Sequence, residues 1–338
     1  MNRITKLRTP ISFKSWAAVG GYEERNGPLG EKFDFCDLSD KFGQKTWEIA
    51  EAEMGRVALN ISMSKASLSH DKIELLVAGD LQNQCVASST GLSSFGIPFL
   101  GVYGACSTCT ESLMTLASFI DSSESMSLGA AVTTSHNSAA ERQFRTPIEY
   151  GGQRARTAQW TSTAAGAFIL ERGDGEVMIT EYMPGRIVDG STSDGANMGG
   201  AMAFAAFDSI SAYFEESGED FREFDYIVTG DLGKVGSGIL KELMSKKLPG
   251  SEKLHTDCGL LLYDFEKQDT HSGASGCGTS ASVLASHFLP LLKEGRLRKI
   301  LFLSTGALMS PSSLLQGENI YGIAPLIRIE SRKMEEKK

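Results

Sequence analysis

The sequence predicts an α/β protein built from two like halves around a shared layer of helices. Apolar runs that read as strands alternate with segments of helical spacing along the whole chain. The tripeptide Gly-Asp-Leu follows a strand twice, at residues 79–81 and 230–232. Each copy sits in the same order of helix, strand, Gly-Asp-Leu, small-residue elbow, helix and strand, which marks an internal duplication.

The elements follow in turn. TWEIAEAEMGRVALNI places Trp47, Ala50, Met54, Val57 and Ile61 at helical spacing. DKIELLVAGDLQNQ (71–84) is a strand that ends in a turn. GACSTCTESLMTLASFI is an elbow and a helix, and SLGAAVTTS (127–135) is the next strand. The second half repeats the order. GGAMAFAAFDSISAYF carries Met202, Phe204, Ala205, Ile210 and Phe214 at helical spacing, and REFDYIVTGDLGKVG (222–236) is its strand. SGCGTSASVLASHFLPLL is the second elbow and helix, followed by the strand RKILFLSTGAL (298–308). Continuous apolar strands of this kind are buried on both faces and run parallel to a neighbour. The halves are expected at 1–190 and 191–338. The small-residue helices after the elbows suit the shared layer, because small side chains permit close approach.

Composition narrows the function. The chain has 338 residues, 41% hydrophobic and 22% charged, as a folded protein of one large or two ordinary domains requires. A net charge of −9 argues against a general nucleic-acid binder. No run of about 18 apolar residues predicts a spanning helix, and no apolar core after the basic start predicts a secretory signal. Arg3, Lys6, Arg8 and Lys14 at that start read as a solvated basic stretch. Six cysteines in a chain this long are no disulfide framework and point to a reducing compartment. Cys36, Cys85, Cys258 and Cys277 read as small buried hydrophobes.

Cys106 is different. It follows Gly104-Ala105 where a strand must turn into a helix, and Ser107 or Thr108 can cap that helix with Glu111 completing the cap. A helix N-terminus favours a thiolate and can hold a carboxylate or an oxyanion. Three readings stand: a small residue that fits a tight turn, a dithiol with Cys109 in C-S-T-C, or a nucleophile position. No metal site is visible in the sequence, and no cofactor motif. Segment 136–160 is a basic island in an acidic chain, with His136, Asn137, Arg142, Arg145, Tyr150, Arg154, Arg156 and Trp160. Arginine suits bidentate carboxylate contacts, and an aromatic ring offers a wall. Arg142 and Arg145 also suit a subunit interface, His136 a chain turn, and Trp160 a core. Asp80 and Asp231 occupy equivalent turns, so their repetition favours a structural role.

The duplicated halves with a cysteine at the first elbow resemble the thiolase superfamily. ACSTC resembles its nucleophile elbow, TSTAAGAFILE (161–171) a strand lead-in, and SGCGTSASVLA (275–285) the second-half elbow. The resemblance implies a five-layer αβαβα architecture with two mixed sheets around the central helices, and a homodimer. It also implies two second-half groups, His with His or Asn, that hold an oxyanion and move a proton. Those positions read TGDLGK and Gly276-Cys277-Gly278 instead. GACSTCTESL, the SHN…AERQFR…PIEYGGQ run, GDLQNQ and GDLGKVGSGIL resemble the stage V sporulation protein AD family over nearly the whole chain. That resemblance implies a non-catalytic binder of dipicolinic acid, alone or as its calcium chelate. It implies work with the other proteins of the stage V sporulation A operon at the inner membrane of the forespore, peripherally, in uptake and in release at germination. The ligand would meet Cys106, His136, Arg142, Arg145 and Trp160. The competing expectation is an acyltransferase with Cys106 as nucleophile; a third is a structural subunit with a vestigial cavity.

Overall fold

The computed structural model describes residues 2–144 and 154–333. Ten strands carry the main sheet: β1 (Thr5–Gly20), β2 (Leu75–Gly79), β3 (Phe99–Gly101), β4 (Leu128–Ser135), β5 (Ala164–Arg172), β6 (Val177–Met183), β7 (Tyr226–Thr229), β8 (His255–Asp257), β9 (Lys299–Leu303) and β10 (Leu326–Ser331). Their spatial order is β8-β7-β9-β10-β6-β1-β5-β4-β2-β3, with the short strand Phe35–Cys36 added beside β1. This order reads as two like series of five. In each series the strands next to Gly-Asp-Leu, β2 and β7, run parallel to both neighbours, and the rest of the series is antiparallel. β6, which precedes residue 190, takes the place in the second series that β1 takes in the first.

β1 joins the two series. Its first part pairs with β6 at Thr5↔Tyr182 and Lys6↔Glu181, and its second part pairs with β5 from Ile11↔Arg172 to Gly20↔Ala164. The β1–β6 register shifts between Lys6 and Ile11. Pro10 lies in that interval and cannot donate to the ladder, which resumes at Ile11↔Ile179 and Ser12↔Met178, where β1 pairs with β5 and β6 at once.

The helices follow the duplicated pattern: α1 (Trp47–Lys65), α2 (Val86–Leu92), α3 (Thr108–Ser122), α4 (Asn137–Phe144), α5 (Met198–Ser217), α6 (Gly233–Lys247) and α7 (Cys277–Val283). Thr46 caps α1 by accepting from Ile49 N, and Asn197 caps α5 by accepting from Gly200 N. Gly218, at φ +69°, ends α5 in the left-handed region. After α7 the helix passes through one π turn, Leu284–Phe288, just before Pro290, whose ring cannot donate into a regular turn.

Alternate strand residues sort into three cores, which define five layers. Leu76 and Ala78 face α1 with Met54, Ala58 and Leu59. Val77 faces inward, with Leu113 and Leu116 of α3, Val283 of α7, Val228 of β7 and Phe302 of β9. Ile227, Leu301 and Leu303 face outward against Ile210 of α5 and Leu240 of α6. The period of two places α3 and α7 between the two sheet sections. A hydroxyl chain ties that middle layer together: Thr110 Oγ1 to Ser304 Oγ at 2.8 Å, and Ser304 Oγ to Ser280 Oγ at 3.1 Å. Glycines let α7 lie close on β5. A Cβ added to Gly278 would stand 2.1 Å from Ala164 O, and one added to Gly166 would stand 2.6 Å from Ala281 O.

Among the described residues, no helix is long and apolar enough to cross a membrane.

Candidate functional site

The first elbow forms at the end of the inner layer. Ala105 takes φ +54°, a left-handed value that a residue with a Cβ adopts at a cost, and a single 3-10 turn, Ala105–Ser107, leads into α3. The hydroxyls expected to cap α3 lock the elbow instead. Thr108 Oγ1 donates to Ala105 O at 2.7 Å and accepts from Gly104 N at 3.2 Å. Ser107 Oγ lies 2.5 Å from Gly104 O and 2.6 Å from Glu111 Oε1. Burial pushes the Glu111 carboxyl up, and the Ser107 hydroxyl beside it acts the other way.

Cys106 lies at the bottom of a cavity of about 500 Å³. Leu81, Tyr103, Phe144, Met198, Leu308 and Leu314 are among its apolar walls, while Glu141 and Arg154 bring charge. Two long helices begin on it. Cys106 precedes α3, and Ala196 and Met198 open α5. Helix N-termini carry partial positive charge and free N–H groups, so both favour an anion.

Two second-half groups face the sulfur, and among the described residues no imidazole is bonded to it. Ser275 Oγ lies 3.9 Å from Cys106 Sγ. The Asp231 carboxylate lies against the same thiol. It also accepts from Ser275 Oγ at 3.1 Å, Gly276 N at 2.9 Å and Thr305 Oγ1 at 2.9 Å. Burial first, and the Asp231 charge second, push the Cys106 thiol well above its ordinary value. Burial likewise raises Asp231 to about 6. The thiolate expected at this helix start is therefore disfavoured, because desolvation and a facing carboxylate outweigh the helix terminus. Cys109 is raised to about 12 by burial, so neither sulfur of C-S-T-C is poised as a thiolate.

The charge effect is testable. Replacing Asp231 by Asn removes the facing charge, and alkylation of Cys106 by iodoacetamide at pH 8 should speed up several-fold, because the thiolate is then less disfavoured. Peptide mass spectrometry reads the rate, and a thermal melt checks that the variant is folded. An unchanged rate would show that Asp231 does not govern the thiol.

The equivalent acid in the first half behaves differently. Asp80 accepts from Gln82 N, Ser88 N and Ser88 Oγ, and so organises the start of α2 as a turn-capping residue. Asp231 leaves its own helix start to Asp257, which accepts from Leu232 N and Gly233 N. The repeated acid thus serves a turn in one half and the surroundings of the Cys106 thiol in the other.

The basic island divides. His136 is buried away from the cavity, with Nε2 2.8 Å from Asp40 O and its ring beside Trp47. Burial lowers its pKa, so it stays neutral. Arg142 lies on α4 with its side chain 60% exposed and pairs with Glu48 at 3.3 Å. Arg145 and Tyr150 fall outside the described residues. Trp160 stands behind the wall, under the Arg154 guanidinium at 4.9 Å.

Among the described residues, Arg154 is the cation on the cavity lining. Its Nη2 donates to Asp269 O at 2.6 Å and to Asp269 Oδ2 at 2.9 Å, while its Nη1 is buried and has no partner among the described residues. Gln159 holds the adjacent chain by donating to Asp231 O and Ala274 O. The sequence places Arg154 in the basic stretch 136–156 open to a carboxylate, without singling it out, and reads Asp231 as structural. The signal for Asp231 was its place after the second-half strand, opposite the first elbow of a duplicated fold. Among the described residues, no group of three His, Cys, Asp or Glu side chains is placed to hold a metal.

Comparison with known proteins agrees with this architecture. The family model described as stage V sporulation protein AD matches residues 1–330. The chain belongs to the stage V sporulation protein AD family. Stage V sporulation protein AD of Bacillus subtilis (strain 168) is 40% identical over 315 residues, 93% of each chain. Among solved structures, 3-oxoacyl-[acyl-carrier-protein] synthase III from Aquifex aeolicus superposes with a TM-score of 0.59 at 13% identity, covering 94% of this chain and 99% of the synthase. A variant of OleA from Xanthomonas campestris superposes with a TM-score of 0.61 at 13% identity, over 96% of this chain and all of OleA. The family member described here is thus a sporulation protein of thiolase-like fold, and its structural neighbours include enzymes.

Proposed function

We propose that the cavity above Cys106 binds dipicolinic acid and that the protein does so without catalysis. The observation that carries this reading is Arg154, a cationic side chain on a largely apolar wall, whose buried Nη1 has no hydrogen-bond partner among the described residues. A buried, unpaired donor is costly unless a ligand satisfies it. Dipicolinate is a flat aromatic dicarboxylate. One carboxylate meets Arg154, the other lies toward the N–H groups that open α3, and the ring rests on the apolar walls. The neutral Cys106 thiol forms the floor. In the spore this binding serves uptake into the forespore and release at germination, with the other stage V sporulation A proteins at the inner membrane. Titration calorimetry of the purified protein tests the ligand: saturable heat at or below millimolar dipicolinate is expected, and its absence removes the claim.

The thiolase-like neighbours motivate acyl transfer through Cys106 as the second reading. A raised thiol facing a carboxylate, with no bonded imidazole among the described residues, weighs against it. Incubation with acyl-coenzyme A should leave the mass of Cys106 peptides unchanged; a stable acyl adduct would restore the enzyme reading.

The homodimer belongs to the same proposal. β3 ends the sheet with all three residues exposed, and Phe99, Leu100 and Tyr103 present apolar surface there. An unpaired edge can pair antiparallel with a second copy of itself. Replacing Leu100 by Asp should halve the mass seen by light scattering, and a wild-type mass of one chain would refute the dimer.

A further inference from the structure

Two of the residues that line the cavity, Cys106 and Ser275, share one buried partner. Asp231 lies one residue back from the cavity, with its Oδ2 3.1 Å from Ser275 Oγ and its carboxylate against the Cys106 thiol. Gly276 N and Thr305 Oγ1 complete its bonds, each at 2.9 Å. Among the described residues, every group bonded to this carboxylate is neutral. A buried carboxylate held only by neutral donors keeps its full charge beside whatever the cavity holds.

Ser275 connects that charge to the cavity. Its hydroxyl has one proton and two lone pairs. While Asp231 is ionised, the proton is committed to Oδ2, and Ser275 has only lone pairs for the cavity. Those repel a ligand carboxylate. A proton on Oδ2 reverses the bond. Asp231 then donates to Ser275 Oγ, and the Ser275 proton is released to donate into the cavity. Charge and hydrogen-bond polarity change together. The other titratable groups packed around Asp231 do not neutralise it. Cys106 is a neutral thiol, and Cys258 is another, raised by burial. Asp257 is a second acid, held by Thr229 Oγ1, Leu232 N and Gly233 N. On the cavity side stand Glu141 and Arg154, one charge of each sign.

We propose that the cavity takes up a dicarboxylate together with one proton, which comes from solvent, settles on Asp231 Oδ2 and releases the Ser275 hydroxyl to the ligand. The inference rests on the proposed reading of the cavity. The sign follows from like charges. An anion above Cys106 and Ser275 disfavours the ionised form of Asp231, so it raises the carboxyl further from the value of about 6 that burial gives it. By linkage, the ligand is held most tightly at low pH, and the advantage is lost as pH rises through the value in the complex. Both carboxylates of dipicolinate are ionised at pH 6 and above, so the ligand brings no proton of its own.

Titration calorimetry of the full chain with dipicolinate at pH 6.5, in phosphate and in imidazole buffer, counts the proton. The two buffers differ in ionisation enthalpy, so uptake appears as a difference in heat. A ligand that makes Asp231 about tenfold better at holding its proton gives an uptake of about half a proton at pH 6.5, and binding about fivefold tighter at pH 6 than at pH 8. Asp231→Asn should take up none and keep one affinity at both pH values. Ser275→Ala should weaken binding at pH 6 and leave it unchanged at pH 8, a pattern that a merely structural serine does not give. Thermal melts check that both variants fold. If Asp231→Asn does not fold, the wild-type proton count decides alone. Binding without proton uptake keeps the reading of the cavity and overturns the coupling. Uptake that persists in Asp231→Asn belongs to another group and overturns it too. No binding at pH 6 or pH 8 removes the reading of the cavity itself, and the coupling with it.

Discussion

Replacing Arg154 by Ala should weaken the proposed dipicolinate binding about tenfold, the scale of one hydrogen bond between charged groups at a partly exposed site. The reason is local. Among the described residues, Arg154 is the cationic side chain on the cavity wall, and its Nη1 has no protein partner to lose. Its Nη2 is committed to Asp269, and its face to Trp160. Lysine cannot hold Asp269 and a ligand in the same fixed geometry, so Arg154→Lys should recover only part of the affinity. Calorimetry at one pH reads both variants, with a thermal melt as the control for folding. Wild-type affinity in Arg154→Ala would move the carboxylate contact away from this wall.

Replacing Gly278 by Ala destabilises the fold by about 3 kcal/mol or more, at the upper end of what overpacking a tight contact costs. The added Cβ would stand 2.1 Å from Ala164 O and 2.6 Å from Ser135 Oγ. Both neighbours belong to the close approach of α7 to the sheet. Ala164 is the first residue of β5, and Ser135 already donates to Ser162 O at 2.8 Å, so neither can move freely. Gly238 supplies the contrast. It lies exposed on α6, and a Cβ there meets nothing within 4 Å. Gly238→Ala should therefore stabilise by about 0.5–1 kcal/mol through helix propensity alone. Urea unfolding of the two variants separates packing from propensity. Equal effects would show that α7 is not held as closely as described.

Much of the architecture is legible in the chain because it rests on local rules. Thr46 and Asn197 stand where a capping side chain is needed, and the apolar spacing that follows them gives α1 and α5. The alternation at 76–78, 227–228 and 300–303 is hidden in runs that are apolar throughout, since both faces are buried; the number of layers comes from the duplication instead. The join of β1 to β6 has no local signature, because it depends on two stretches some 170 residues apart finding one register. The site is less legible for the same reason. Cys106 is marked by its elbow. Arg142 and Arg154 are alike in sequence, and only the path of the chain turns one to Glu48 and the other to the cavity. Asp231 repeats Asp80 letter for letter, yet the opposite half supplies its neighbours.

The place of β1 in the sheet constrains how the molecule is assembled. Its opening residues are made well before their partner β6, and β6 in turn waits for β10, about 150 residues later. A nascent chain that stops short of β10 exposes a bare strand edge in the middle of what should be a continuous sheet. A chain that stops between Leu314 and Leu326 would thus yield insoluble product rather than a working fragment, although every residue named at the cavity had already been made.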